Sequence, residues 1–181
     1  MKARFLIGTA FALLAGCAST PENRYYTLSV APPTAAGRMP SNAVPPTIAS
    51  LHLPAILDRP QIVVRTGPQT VDIREYDRWA EPLDQMTARA LRQDLAARTT
   101  ALGAPPSSRK VSIVLDAFIC GSDGQCNIAG RWWTVSSSEG APERRENGFA
   151  LTQTISAEGA VGEAACLSAL LGLLADQILG A

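Results

Sequence analysis

The sequence predicts an α+β fold, a two-layer domain with a mixed/antiparallel sheet and two main helices packed on one face. Three observations point there. Segments rich in β-branched and aromatic residues precede each of two helical patterns, in the order β-β-β-β-α and then β-β-β-α. Both helical patterns carry an apolar stripe that needs a sheet to cover it. The 181 residues are 46% apolar with zero net charge, which suits one core and is too short for two.

The chain opens with a segment that stands outside that domain. Lys2 and Arg4 supply positive charge, Phe5 to Ala15 is an apolar stretch of 11, and Leu14-Ala15-Gly16-Cys17 follows, the layout of a secretory signal peptide. At about 1.5 Å per residue that stretch covers roughly half of a ~30 Å hydrocarbon core, so it is too short to span. Its small-small-Cys ending resembles the lipobox of bacterial lipoproteins, where the Cys is acylated and cleavage occurs just before it. Residues 1–16 are therefore expected as a lipoprotein signal peptide and Cys17 as the lipidated first residue of the mature chain. That chain has 165 residues with 14 basic against 16 acidic groups, because Lys2 and Arg4 leave with the signal. Several acyl chains, at ~0.8 kcal/mol per buried CH₂, make such attachment effectively permanent. Ala18, where an acidic residue is absent, favours the inner leaflet of the outer membrane by resemblance to Gram-negative lipoproteins.

Residues 17–46 read as the lipidated N-terminus, a first strand (Tyr25 to Val30) and a Pro-rich connection from Ala31 to Pro46. Residues 47–181 read as the rest of a single domain. Thr47 to Leu53, Gln61 to Thr66 and Thr70 to Arg74 have strand composition, and Gly67-Pro68 between the last two is a hairpin signal. A helix begins near Pro82, with Trp79, Leu83, Met86, Ala90, Leu91 and Leu95 at spacings of three and four. Arg89, Arg92, Asp94 and Arg98 lie elsewhere on that cylinder and read as a solvated face. After a break at Leu102 to Ser108, Lys110 to Cys120 alternates, with Val111, Ile113, Leu115 and Ala117 on one side. Asn127 to Ser136 and Phe149 to Ile155 follow as strands on either side of a polar loop, Ser136 to Gly148. The last helix, about Val161 to Ile178, places Leu167, Leu170, Leu171, Leu174 and Ile178 inward and is apolar enough to be covered on more than one side.

The neutral balance leaves nothing to compensate a phosphate backbone, so no nucleic-acid partner is expected. Three cysteines remain beyond Cys17 in a compartment that permits disulfides. Cys120 and Cys126 flank turn chemistry between two strands and are candidates for a hairpin disulfide. The alternative, half of a metal site, lacks further ligands, and neither a metal nor another cofactor is expected beyond the covalent lipid on Cys17. Cys166, in the apolar helix, reads as a buried thiol. His52 lacks a GxSxG or Cys-His arrangement, and HExxH, Walker and GxGxxG motifs are absent, so no enzyme activity is expected.

Two segments are more distinctive. In Leu53 to Arg65 a strand stops at Pro54, turns through Leu57-Asp58-Arg59-Pro60 and restarts, and Asp58 reads as a side chain that closes the turn. In Tyr76 to Leu83, Asp77 or Glu81 is placed to complement a helix N-terminus, and Trp79 to cover the edge of the core. Together with the lipobox and Arg24-Tyr25-Tyr26-Thr27-Leu28, these segments resemble the ABC-type transport auxiliary lipoproteins, the paraquat-inducible protein C (PqiC/YmbA-like) family. The likeness covers nearly all of the mature chain. Ile56 stands where an aromatic is common, and the Cys120/Cys126 pair looks like a local addition.

The resemblance implies a lipoprotein anchored in the outer membrane and facing the periplasm, part of an MCE-type (mammalian cell entry) ABC lipid transport system. Its partner would be the MCE-domain protein that spans the periplasm, and a homo-oligomer would match a ring-shaped partner. It also implies support for membrane integrity. Asp58, Arg59, Pro60, Trp79 and Glu81 are the expected contact residues, each also open to a packing role. A stand-alone lipid carrier with its own apolar cavity is the alternative, and an envelope hydrolase using His52 a third reading.

Overall fold

A computed structural model of the chain describes residues 21–32, 44–99, 109–135 and 144–180. The signal segment, Cys17, most of the Pro-rich connection and the break at Leu102 to Ser108 lie outside the described residues, as does most of the polar loop before Gly148. The element order is β1 (Arg24–Tyr26), β2 (Thr47–His52), β3 (Gln61–Gly67), β4 (Thr70–Trp79), α1 (Leu83–Ala97), β5 (Lys110–Gly121), β6 (Gln125–Val135), β7 (Arg144–Thr154) and α2 (Gly159–Gly180).

The long strand β5 organises the sheet, because every second residue is large and apolar and two edges are available for pairing. One edge pairs antiparallel with β6, which in turn pairs with β7. The other edge is shared: β2 runs parallel to its first half, from Thr47↔Lys110 to His52↔Val114, and β3 parallel to its end at Val64↔Cys120. β3 then pairs antiparallel with β4, and β4 parallel with β1. The sheet is thus mixed, in the order β1-β4-β3-β5-β6-β7 with β2 beside β5.

Within β5 the inward residues are Val111, Ile113 and Leu115, and then Phe118 and Cys120. The parity changes because the register shifts between Leu115 and Ala117, a bulge that inserts one residue. Simple alternation placed Ala117 inward; the bulge gives its place to Phe118. Gly130 lies opposite the bulge, where a Cβ would strike the Val114 carbonyl oxygen.

Both helices cover one face. α1 follows Pro82, whose carbonyl accepts the Met86 N–H at 3.0 Å, and buries Leu83, Met86, Ala90, Leu91 and Leu95. α2 is long and apolar enough to cross a bilayer by composition, but 67% of its most apolar stretch is buried within the domain. It is enclosed by the sheet, by α1 and by a short strap, residues 27–32, that follows β1. Leu28 N–H points at the Met86 sulfur at 3.4 Å, Ser29 N–H donates to Ser168 Oγ at 3.1 Å, and Ala31 N–H donates to Asp94 Oδ1 at 2.9 Å.

The expectation of a solvated polar face on α1 is corrected at two positions. Asp94 is 0% and Arg98 3% exposed. Arg98 pairs with Asp94 at 3.1 Å and with Asp176 of α2 at 2.6 Å, and its Nη1 also donates to the Ala31 carbonyl at 3.3 Å. Unpaired, either charge would be costly inside the protein; held this way, they tie strap and helices together.

Candidate docking surface and its anchor

β2 and β3 lie along the same edge of β5 with a gap between them, and the Pro54–Pro60 segment fills it. The two prolines stop the pairing on either side. Between them Ala55–Leu57 form one 3₁₀ turn: Leu57 N–H donates to the Pro54 carbonyl at 2.9 Å and Asp58 N–H to that of Ala55 at 3.1 Å. This turn drives Leu57 into the core, at 5% exposure, and leaves Ile56, Asp58 and Pro60 in solvent. Arg59 is half-buried, and its Nε has no hydrogen-bond partner among the described residues. The turn is closed by backbone bonds, so the closing role expected of the Asp58 side chain passes to the main chain.

The end of β4 joins the turn to the N-terminal segment. Trp79 N–H donates to the Pro60 carbonyl at 2.7 Å, and Ala80 N–H donates to the Tyr26 carbonyl at 2.9 Å. The three segments singled out in the sequence, Tyr-Tyr-Thr-Leu, Leu-Asp-Arg-Pro and Trp-Ala-Glu-Pro-Leu, therefore meet at one place. Trp79 itself is 5% exposed. It therefore offers no contact surface, which corrects its expected role as a contact residue and bears out the other expectation, that it covers the edge of the core: an indole at a strand end is large enough to seal it.

Asp77 and Glu81 do not cap α1, whose N-terminus has no side-chain cap bond. Asp77 accepts from Arg24 at 2.8 Å and from the Tyr26 hydroxyl at 2.9 Å, and lies 3.7 Å from Arg74. Arg74 in turn reaches Glu163 of α2 at 2.7 Å. Burial, and then the hydrogen bond to Asp77, push the Tyr26 hydroxyl pKa upward, while burial pushes Glu163 upward against the opposing pull of Arg74. This network holds β1 on β4 and β4 on α2. Glu81 is exposed and pairs with Arg89 at 2.7 Å, an ion pair open to water and worth little to stability.

A cleft of about 280 Å³ opens beside the turn, with His52, Asp58 and Asp84 on its wall. Among the described residues its lining is Leu51, His52, Leu53, Pro54, Ala55, Leu57, Asp58, Leu83 and Asp84, which places no hydroxyl or thiol side chain beside His52. No cluster of three metal-ligating side chains occurs among the described residues. Cys120 and Cys126, direct cross-strand neighbours in the β5–β6 hairpin, are joined by a disulfide. Cys166 is a free buried thiol whose pKa burial raises, a chemically quiet state.

The residues that fasten the N-terminal segment were not singled out from sequence as functional. Their signal was present: Ser168 and Gly172 are small breaks, four residues apart, in the uncharged stretch between Glu163 and Asp176, and Asp94 and Arg98 stand at the i,i+4 spacing of an ion pair.

The profile of the ABC-type transport auxiliary lipoprotein component family matches residues 26–179. The chain belongs to that family. Solved structures agree on the fold. Protein XCC0632 from Xanthomonas campestris, described as a DUF330 protein, superposes with a TM-score of 0.66 at 20% identity, over 87% of this chain and 93% of that one. A second structure, described only as an uncharacterized protein, gives a TM-score of 0.63 at 17% identity, over 88% and 98%. No curated protein matches the chain. As an ABC-type transport auxiliary lipoprotein, it is a membrane-anchored periplasmic component that works with a transporter.

Proposed function

We propose that this auxiliary lipoprotein is the outer-membrane-anchored subunit of an MCE-type ABC lipid transport system, held by the acyl chains of Cys17. It docks the periplasm-spanning MCE-domain protein and so supports membrane integrity. The observation that carries this reading is the convergence at the end of β4. The turn that bears Asp58, Arg59 and Pro60, the buried Trp79 that supports it, and the segment leading back to Cys17 are bonded to one another. A partner that grips Asp58, Pro60 and Glu81 therefore pulls on a rigid unit coupled to the membrane anchor. Tethering also raises the local concentration of the docking surface for a partner that ends near the same membrane.

A subunit of this kind needs no catalytic group. It needs no lipid cavity either, which separates it from a stand-alone carrier. Among the described residues, the void between Leu57, Trp79, Phe118 and Leu167 is about 10 Å³, the space of a single water, and the larger clefts are open to solvent.

Affinity purification of the acylated protein from native envelopes tests the reading. It predicts recovery of an MCE-domain protein and greater detergent and bile-salt sensitivity when the gene is deleted. A normal barrier with no such partner would overturn it, and bound lipid in the absence of a partner would favour the carrier.

A further inference from the structure

The face of the sheet opposite the helices carries three exposed apolar side chains. Tyr25 is 63%, Val71 45% and Ile73 40% exposed. Their position follows from pairing. Trp79 and Tyr26 are partners and Trp79 is in the core, so the preceding pair, Tyr25 and Arg78, points to the open face. Arg74 reaches Glu163 on the helix side, so Ile73 points the other way, next to its partner Val63. Val71 lies beside Arg65 on that same face. The patch thus combines one aromatic, two aliphatic and two guanidinium side chains.

The path of the chain indicates what meets this patch. β1 runs parallel to β4. The chain therefore arrives at Arg24 from the end of the sheet where Ile73 and Val71 lie. Arg24 lies seven Cα–Cα steps after Cys17, a span of at most about 25 Å. The strand from Asp77, the partner of Arg24, back to Val71 covers about 20 Å, so the whole patch lies within reach of the acylated residue.

We propose that this open face rests on the phospholipid surface into which Cys17 is anchored. Tyr25, Val71 and Ile73 enter the headgroup boundary, while Arg65 and Arg78 lay their methylene stems along it and meet lipid phosphates. Tyrosine suits that position because its ring is apolar and its hydroxyl is not. This second contact orients the domain, where the acyl chains alone would leave it free to swivel. The proposal rests on acylation of Cys17.

The test uses the full-length acylated protein, with a benzophenone amino acid in place of Ile73, in vesicles of phosphatidylethanolamine and phosphatidylglycerol. The mass of the Cys17 peptide reports the anchor separately. Irradiation is expected to attach phospholipid at position 73 several-fold more than the same probe in place of Ile56, which is slightly more exposed but lies on the proposed docking turn. Changing both Arg65→Gln and Arg78→Gln is expected to lower that capture. Acylated protein that captures no more lipid at position 73 than at position 56 overturns the proposal and leaves the anchor standing. Capture of a second copy of the chain overturns it in favour of a self-interface. An unmodified Cys17 overturns anchor and proposal together.

Discussion

The guanidinium of Arg98, the residue that ends α1, lies directly over Gly172 of α2: a Cβ at position 172 would come 2.7 Å from Nη2 and 2.6 Å from the Ala31 Cβ. The missing side chain is what admits a buried arginine and the strap to the same site. With Gly172 in place, Arg98 reaches Asp94, Asp176 and the Ala31 carbonyl together. The segment that leads to the membrane anchor is thereby fastened to both helices. Gly172→Ala is expected to destabilise the fold by about 1–3 kcal/mol through overpacking, partly offset by the ~1 kcal/mol that alanine gains over glycine in a helix. Denaturant unfolding measures the loss, and limited proteolysis within residues 27–31 reads the loosening of the strap. Unchanged stability would refute the close fit.

Asp94 sets a pH dependence of defined sign. Burial raises its pKa from 3.8 to about 6, against the opposing Ala31 N–H and Arg98. A raised carboxylate favours the folded state when protonated, so its stabilising contribution is full below pH 3.8 and is lost as the pH rises through about 6. Asp94→Asn keeps an acceptor for the Ala31 N–H and removes this titration. The Tm of the variant, relative to the natural protein, is expected to rise as the pH increases across that window. A difference that stays flat would show that Asp94 does not titrate as described.

The disulfide gives a third expectation. Replacing Cys120 and Cys126 with serine removes a short cross-link, which the chain-entropy account values at about 2 kcal/mol. The β5–β6 hairpin has nine further residue pairs in register along its length, so the fold is expected to survive with a lower denaturation midpoint. Collapse of the fold in the double serine variant would contradict that.

How much of this could be read from the residues depends on where the information sits. The order of strands and helices was legible, because period-two and period-3.6 patterns are local. The inward set on α2, from Leu167 to Ile178, was legible for the same reason. The β5 bulge was not, since a single extra residue before Phe118 changes parity without changing composition. Asp94 and Arg98 read as solvent-facing because charge is the usual mark of exposure; only the chain folding back as a strap, 63 residues away from Asp94, buries them. At the candidate docking surface, Asp58, Pro60 and Glu81 are exposed, whereas Trp79 is buried at the edge of the core, the packing role its place in the sequence also allowed. The convergence of three motifs was invisible as such, because hydrogen bonds from Trp79 to Pro60 and from Ala80 to Tyr26 join residues far apart in sequence.

Trp79 and Asp58 are expected to separate folding from docking. Trp79→Ala empties a core position and is expected to cost about 3–5 kcal/mol of stability. Asp58→Lys changes an exposed side chain with no hydrogen bond among the described residues, and is expected to leave unfolding within about 0.5 kcal/mol of the natural protein. If instead Asp58→Lys unfolds the domain, the turn is a structural element and its surface role is withdrawn.

In the proposed function, the Asp58–Pro60 turn is where this membrane-anchored lipoprotein meets its transport partner. The most direct measurement is position-specific photo-crosslinking in native envelopes, with the probe in place of Asp58 and, as reference, in place of Thr152 on β7. The account predicts a covalent adduct with an MCE-domain protein from position 58 and none from position 152. Adducts from position 152 alone, or none from either position while the protein is acylated and folded, would contradict it.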